Sequence, residues 1–285
     1  MDEKSFHIVD KSGRNLNARK WEAGEDQKAI VAIIHGLGDH IDRYDHFSKF
    51  LNTKGISTIG MDYQGHGKSP GKRGHIPSYD LLLSNVENLL ITARRAYNEL
   101  PLFLYGQSLG GNIVANYILR HQSKELSGAI ISSPFLELAF TPPKWKANLA
   151  KILNGLLPSF ALSNEIEPME LSHDPVVGKA YFEDPLVHDK ISVRLYNLGI
   201  EYGRWALENA SLLSIPLLLM HGDEDQLTSF HASERFAGDA GAKAKLKIWK
   251  GMRHEVHNET RKEEVLEYIC RWIHENLHEQ RAQDV

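Results

Sequence analysis

The six residues Ala29-Ile-Val-Ala-Ile-Ile34 contain no polar side chain. A strand that is apolar at every position, rather than at every second one, must be buried on both faces. A sheet covered by helices on both sides supplies that environment. Similar runs lie at Ile56–Met61, Leu102–Tyr105, Ala129–Ile131, Ile215–Met220 and Leu246–Trp249. Helical patterns at Tyr79–Asn98, Gly110–His121, Ser229–Ala237 and Thr260–His278 separate most of them. This alternation predicts an α/β fold with a mostly parallel central sheet and helices on both faces. Two weakly alternating runs, Phe6–Val9 and Leu16–Trp21, flank a turn at Ser12-Gly13 and predict an antiparallel opening.

The rhythm breaks once. From Phe135 to about Leu207 no strand pattern is visible, and the stretch is too long for a plain loop. It predicts a helical lid at 135–207, inserted into a core formed by 1–134 and 208–285. Within it Trp145, Leu149, Ile152, Leu153, Leu156 and Leu157 recur at helical spacing. The simplest placement is a face packed on the core. The alternatives are an acyl tunnel or a surface that touches lipid.

Open parallel sheets bind ligands beyond the carboxyl ends of their strands. Directly after Leu102–Tyr105 stands Gly106-Gln107-Ser108-Leu109-Gly110, followed by a helical pattern. G-x-S-x-G in that context is a nucleophile elbow, a sharp turn that lifts Ser108 above the sheet at the positive end of a helix. The first buried strand ends in His35-Gly36-Leu37-Gly38. Backbone N–H groups of Leu37 and Leu109 are the expected oxyanion donors. An acid and then a histidine should follow in chain order. Asp225 is favoured over Asp223 in His221-Gly222-Asp223-Glu224-Asp225, and His254 over His257 in the loop after Leu246–Trp249.

The remaining features exclude more than they assign. With 33 basic and 37 acidic residues the net charge is -4, no footprint for nucleic acid. Cys270 is the only cysteine, and neither a secretory leader nor an apolar run of membrane-spanning length is visible, so a cytoplasmic setting is expected. Gly65-His66-Gly67-Lys68-Ser69 fails as a P-loop because Asp62 stands where its first glycine belongs. Ile41 breaks the dinucleotide pattern begun by Gly36-Leu37-Gly38, and His254 and His257 are three apart, not four as in a zinc helix. No metal and no cofactor are expected.

Taken in order, His35-Gly36-Leu37-Gly38-Asp39-His40, Arg43-Tyr44, Asp62–Ser69, Gly106–Gly111, Asp184-Pro185-Leu186, His221–Asp225 and Gly251–His257 resemble the monoacylglycerol lipase and lysophospholipase group of α/β-hydrolases. The resemblance covers nearly the whole chain. It implies the α/β-hydrolase fold with a lid, a triad of Ser108, Asp225 and His254, and oxyanion donors at Leu37 and Leu109. It also implies head-group contacts from Arg43 and His257. The family's lid glutamate does not carry over: its position falls near Val177, with Asp174 and Glu183 as neighbouring acids. The expected substrate is a monoacylglycerol-like lipid ester, with transient membrane-surface contact through the lid. The rivals are a lysophospholipase or broad carboxylesterase, a peptidase, and a non-catalytic lipid receptor on the same scaffold.

Overall fold

The computed structural model describes residues 3–97, 100–121 and 125–283. Asn98, the last residue of one expected helix, lies outside the described residues, as do 1–2, 99, 122–124 and 284–285 of the expected core. The chain runs β1 (Glu3–Val9), β2 (Asn15–Trp21), β3 (Ala29–Ile34), α1 (Asp45–Asn52), β4 (Ile56–Met61), α2 (Tyr79–Tyr97), β5 (Leu102–Gln107), α3 (Leu109–Arg120) and β6 (Gly128–Ser132). It continues through α4 (Lys144–Leu156), β7 (Ala161–Ser163), α5 (Pro168–Leu171), α6 (Pro175–Glu183), β8 (Lys190–Ser192) and α7 (Val193–Glu208). It closes with β9 (Leu217–Gly222), α8 (Phe230–Ala240), β10 (Ala244–Trp249) and α9 (Lys262–Gln283).

Eight strands form one sheet in the order β1-β2-β4-β3-β5-β6-β9-β10. β2 pairs antiparallel with both β1 and β4, and every pairing from β4 to β10 is parallel. The continuous apolar runs divide by parity between two cores. Ile30, Ala32 and Ile34 pack with α2 and α3 on one face, while Ala29, Val31 and Ile33 pack with α1 and α9 on the other. The strand expected at Ile215–Met220 begins two residues later. Pro216 has no N–H for the ladder, although its carbonyl still accepts from Ala129 N at 2.9 Å.

Between β6 and β9 the structure differs from the sequence expectation in two ways. The inserted stretch is not purely helical: β7 and β8 pair antiparallel as a separate two-stranded sheet. Three-residue strands are too short to leave an alternating pattern in sequence. The apolar face of α4 is also not packed on the core. Trp145 is 65% exposed and Leu156 73%, and Leu149, Ile152 and Leu157 are exposed as well. α7 does the packing instead, lying against α3, with Gly199 and Gly203 letting it close on Phe135 and Leu136.

Candidate active site

The elbow is held by its surroundings. Ser108 sits at φ 54 and ψ -117, a conformation that L-residues avoid at about 1–3 kcal/mol. Its N–H donates to Ser132 O at 3.0 Å, and its carbonyl accepts from Asn112 N at 3.0 Å and Phe135 N at 2.9 Å. The flanking glycines are required by space. A Cβ on Gly110 would overlap the carbonyl oxygen of Ile34, and one on Gly106 that of Gly110. Ser108 is partly exposed although the residues before and after it are buried.

Just past β3, the neighbour of β5 in the sheet, Gly36 lies so close that an added Cβ would sit 2.6 Å from Gln107 Oε1 and 3.3 Å from Ser108 Cβ. That approach puts Leu37 and Ser108 on the wall of one cavity. Leu109 opens α3, where first-turn N–H groups have no partner inside the helix. Two donors at these positions can face one developing oxyanion. The loop carrying Leu37 is fixed by Asp62, which accepts from Ile41 N at 2.7 Å, Lys68 N at 2.9 Å and Asn17 Nδ2 at 2.9 Å. This explains the Asp62–Ser69 motif as scaffold. His35 is scaffold too, buried and stacked on Tyr63 at 4.2 Å.

Asp225, beyond the end of β9, accepts five hydrogen bonds. Oδ2 takes His254 Nδ1 at 2.7 Å, His221 Nε2 at 2.9 Å and Thr228 Oγ1 at 2.9 Å. Oδ1 takes Leu227 N at 2.8 Å and Thr228 N at 3.0 Å. Burial opposes ionisation, but the two histidines together outweigh it and hold the carboxyl far below its ordinary range. Burial alone would lower His254, yet the Asp225 carboxylate raises it above its ordinary 6.5. Since a base must be neutral to accept a proton, kcat/KM is expected to decline on the acid side with an apparent pKa above 6.5, measurable from a pH–rate profile. Asp223 is placed elsewhere, accepting from Gly251 N at 2.7 Å.

Ser108, Leu37 and His254 line one narrow cavity of about 10 Å³ together with Asp39, Glu255 and Tyr181 and with Ile166 and Leu171 of the inserted stretch. About one water fits such a space. The inserted stretch and the loop after β10 are joined: Glu255 N donates to Leu171 O at 2.8 Å, Ser172 Oγ to Asn258 O at 3.1 Å, and Glu259 Oε1 accepts from both Arg253 N and His173.

The two expected head-group residues stand behind this cavity. Arg43 grips Glu255 through two bonds of 2.9 and 2.8 Å and reaches Asp39 at 3.0 Å, with its guanidinium 5.0 Å from the Tyr181 ring. His257 is buried and stacked on Tyr44 at 5.2 Å, and burial pushes it down to about 4. Asp174 caps α6 by accepting from Val176 N, and exposed Glu183 lies 3.9 Å from Lys179. The cavity wall holds neither of them. Sequence reasoning missed the facing roles of Asp39 and Glu255, which adjoin motif residues but carry no spacing rule of their own. His221 was visible only as a strand-end histidine.

Residues 25–261 match the Hydrolase_4 family, described as serine aminopeptidase, S33. The chain is 31% identical over 260 residues to a monoacylglycerol lipase of Mycolicibacterium smegmatis, covering 90% of this chain and 92% of that one. It is 35% identical over 280 residues to an uncharacterized abhydrolase domain-containing protein of Dictyostelium discoideum, covering 97% of this chain but spanning only 30% of that protein's length. The crystal structure of Paleococcus ferrophilus monoacylglycerol lipase superposes with a TM-score of 0.82 at 32% identity, covering 92% of this chain and 99% of that one. By sequence match and by architecture the chain belongs to the Hydrolase_4 family of serine α/β-hydrolases, among its monoacylglycerol lipase-like ester hydrolases.

Proposed function

We propose that this protein releases fatty acid from monoacylglycerol-like esters at a membrane surface, with Ser108, His254 and Asp225 as its triad. His254 takes the Ser108 proton as Oγ attacks the ester carbonyl, and the N–H groups of Leu37 and Leu109 hold the oxyanion. His254 then protonates the leaving alcohol. A water activated by the same imidazole adds to the acyl-enzyme and frees the acid. Asp225 fixes the tautomer and stabilises the imidazolium.

The lid carries the lipid part of this reading. Most large apolar side chains exposed among the described residues fall between Phe140 and Phe182. Exposed apolar side chains concentrated in one stretch of chain favour an interaction surface there. α4 bears lysines at 144 and 151 and no acid, a composition suited to lying in the headgroup layer of a bilayer. Among the described residues no helix is long and apolar enough to cross a membrane. Pockets for ligands of acyl-chain size measure about 300–1,000 Å³, so entry past the narrow cavity requires the lid to shift. Replacing Trp145, Leu149, Ile152 and Leu156 together by serine is expected to lower binding to phosphatidylglycerol vesicles by at least about 100-fold in a flotation assay: full burial is worth about 1.5–3 kcal/mol per apolar side chain, and half of the lower figure from each of the four already reaches the roughly 2.7 kcal/mol of a 100-fold change. Hydrolysis of a water-soluble short-chain ester should change far less.

One observation favours a second reading. The carboxylates of Asp39 and Glu255 in the cavity wall are of the charge that attracts a peptide's free amino terminus, and the family description names an aminopeptidase. Purified protein is therefore to be offered a long-chain monoacylglycerol and an aminoacyl nitroanilide. Fatty-acid release without nitroaniline release is the expected result, and the opposite pattern would replace the lipase reading.

A further inference from the structure

We infer that Glu255 is a specificity-determining residue that makes the alcohol side of the site net anionic and turns away esters whose leaving group carries a phosphate. The inference rests on the ester-hydrolase reading above. Its starting point is where the leaving alcohol must go. His254 delivers a proton to that alcohol, so the alcohol departs beside His254. Glu255 is the next residue and lines the same cavity together with Asp39; both carboxylates are nearly buried, at 4% and 5% exposure. Among the described residues the ionisable side chains of that wall are Asp39, Glu255, Tyr181 and His254, and any charge on His254 is balanced by its partner Asp225.

Both acids are ionised. Burial works against the charge on Asp39, but Arg43 and the neighbouring histidines hold its carboxyl down to about 2. Glu255 is lowered from its ordinary 4.5, again with burial opposed by Arg43. One guanidinium therefore answers two carboxylates. It does so from behind the wall, with its fork spent on Glu255 and one further bond on Asp39. Asn258 Nδ2 adds a bond of 2.6 Å to Glu255 Oε2, which holds that carboxylate in place. An arginine left free could bind a phosphate bidentately. Paired in this way it presents its counter-ions instead. The cluster keeps a net charge of one negative unit next to the departing oxygen. A neutral polyol meets acceptors for its hydroxyl groups there, whereas a phosphomonoester meets like charge in a site that excludes water, where screening is weak.

The test compares two esters with the same acyl chain, decanoylglycerol and decanoylglycerol phosphate, both held below their aggregation limits. The wild type is expected to favour the neutral ester by about 100-fold in kcat/KM. Glu255→Gln keeps the shape and removes the charge. It should bring the ratio to about 10-fold or less, through a gain on the phosphate ester. Asp39→Asn should move the ratio the same way. The ratio is read on one sample of each variant, so partial loss of folded protein cancels from it. Equal cleavage of both esters by the wild type, or a ratio unmoved in both variants, overturns the filter and leaves the ester-hydrolase reading standing. Cleavage of neither ester by the wild type overturns that reading, and the filter falls with it.

Discussion

Ser108→Ala is expected to abolish ester hydrolysis, lowering kcat by about a million-fold. Alanine has no oxygen to attack the carbonyl, the carboxylates of Asp39 and Glu255 are held by Arg43, and His254 alone offers only general-base help to water. The remainder, about 1,000-fold over the uncatalysed rate, would come from the Leu37 and Leu109 N–H groups, which the substitution does not touch. Stability should hardly move. Alanine at φ 54 is as strained as serine, so thermal melts should agree within about 0.5 kcal/mol. Ser108→Gly separates the two effects. Glycine accepts positive φ freely, which relieves about 1–3 kcal/mol of strain and offsets its own entropic cost of about 0.5–1 kcal/mol. That variant should be equally inactive and melt higher. A Ser108→Ala protein that still turned over at wild-type rate would remove Ser108 from the mechanism, whatever the geometry of the elbow.

How far the site could be read from sequence depended on whether geometry or partnership sets a residue's role. Gly106, Gly110 and Gly36 are readable because close backbone approach permits no other residue, and that demand has a fixed spacing. The buried strands were readable for the same kind of reason: β3 is apolar at every position because each parity faces a different core. Arg43 shows the opposite case. The family resemblance implies a head-group role for it, but Glu255, 212 positions away, decides what its guanidinium can offer. No local pattern encodes that pairing. α4 makes the same point for packing. Its apolar spacing fits a core-facing helix and a lipid-facing one equally, and only the tertiary placement of α7 shows that the core position is taken. β7 and β8 were illegible because three residues are too few for periodicity.

Asp225→Asn tests the acid more sharply than its deletion would, because the side chain keeps its size and loses only the arrangement of donors. The amide must turn its NH₂ toward one of two sets of partners. On the Oδ1 side stand the N–H groups of Leu227 and Thr228, which cannot stop being donors. Placing NH₂ there leaves buried donors facing each other at about 1–3 kcal/mol each. On the Oδ2 side all three partners can adapt. Thr228 Oγ1 can turn to Ser133 O at 3.2 Å, and His221 can move its proton to Nδ1, where Ser233 Oγ lies at 2.8 Å. His254 can become an acceptor at Nδ1. The NH₂ therefore settles against the histidines, and His254 is held with its proton on Nε2. That is the tautomer unable to take a proton from Ser108, and kcat should fall about 10,000-fold with little change in KM. Stability should report the lost pair in a defined window. The depressed Asp225 carboxyl contributes stability above its ordinary 3.8, lost as pH falls through the folded value. The raised His254 contributes below its ordinary 6.5, lost as pH climbs through its folded value. The melting gap between wild type and Asp225→Asn should thus be widest between pH 3.8 and 6.5 and narrow on either side. A gap that stays flat across that range, or a variant of unchanged kcat, would mean that Asp225 does not act as the partner of His254.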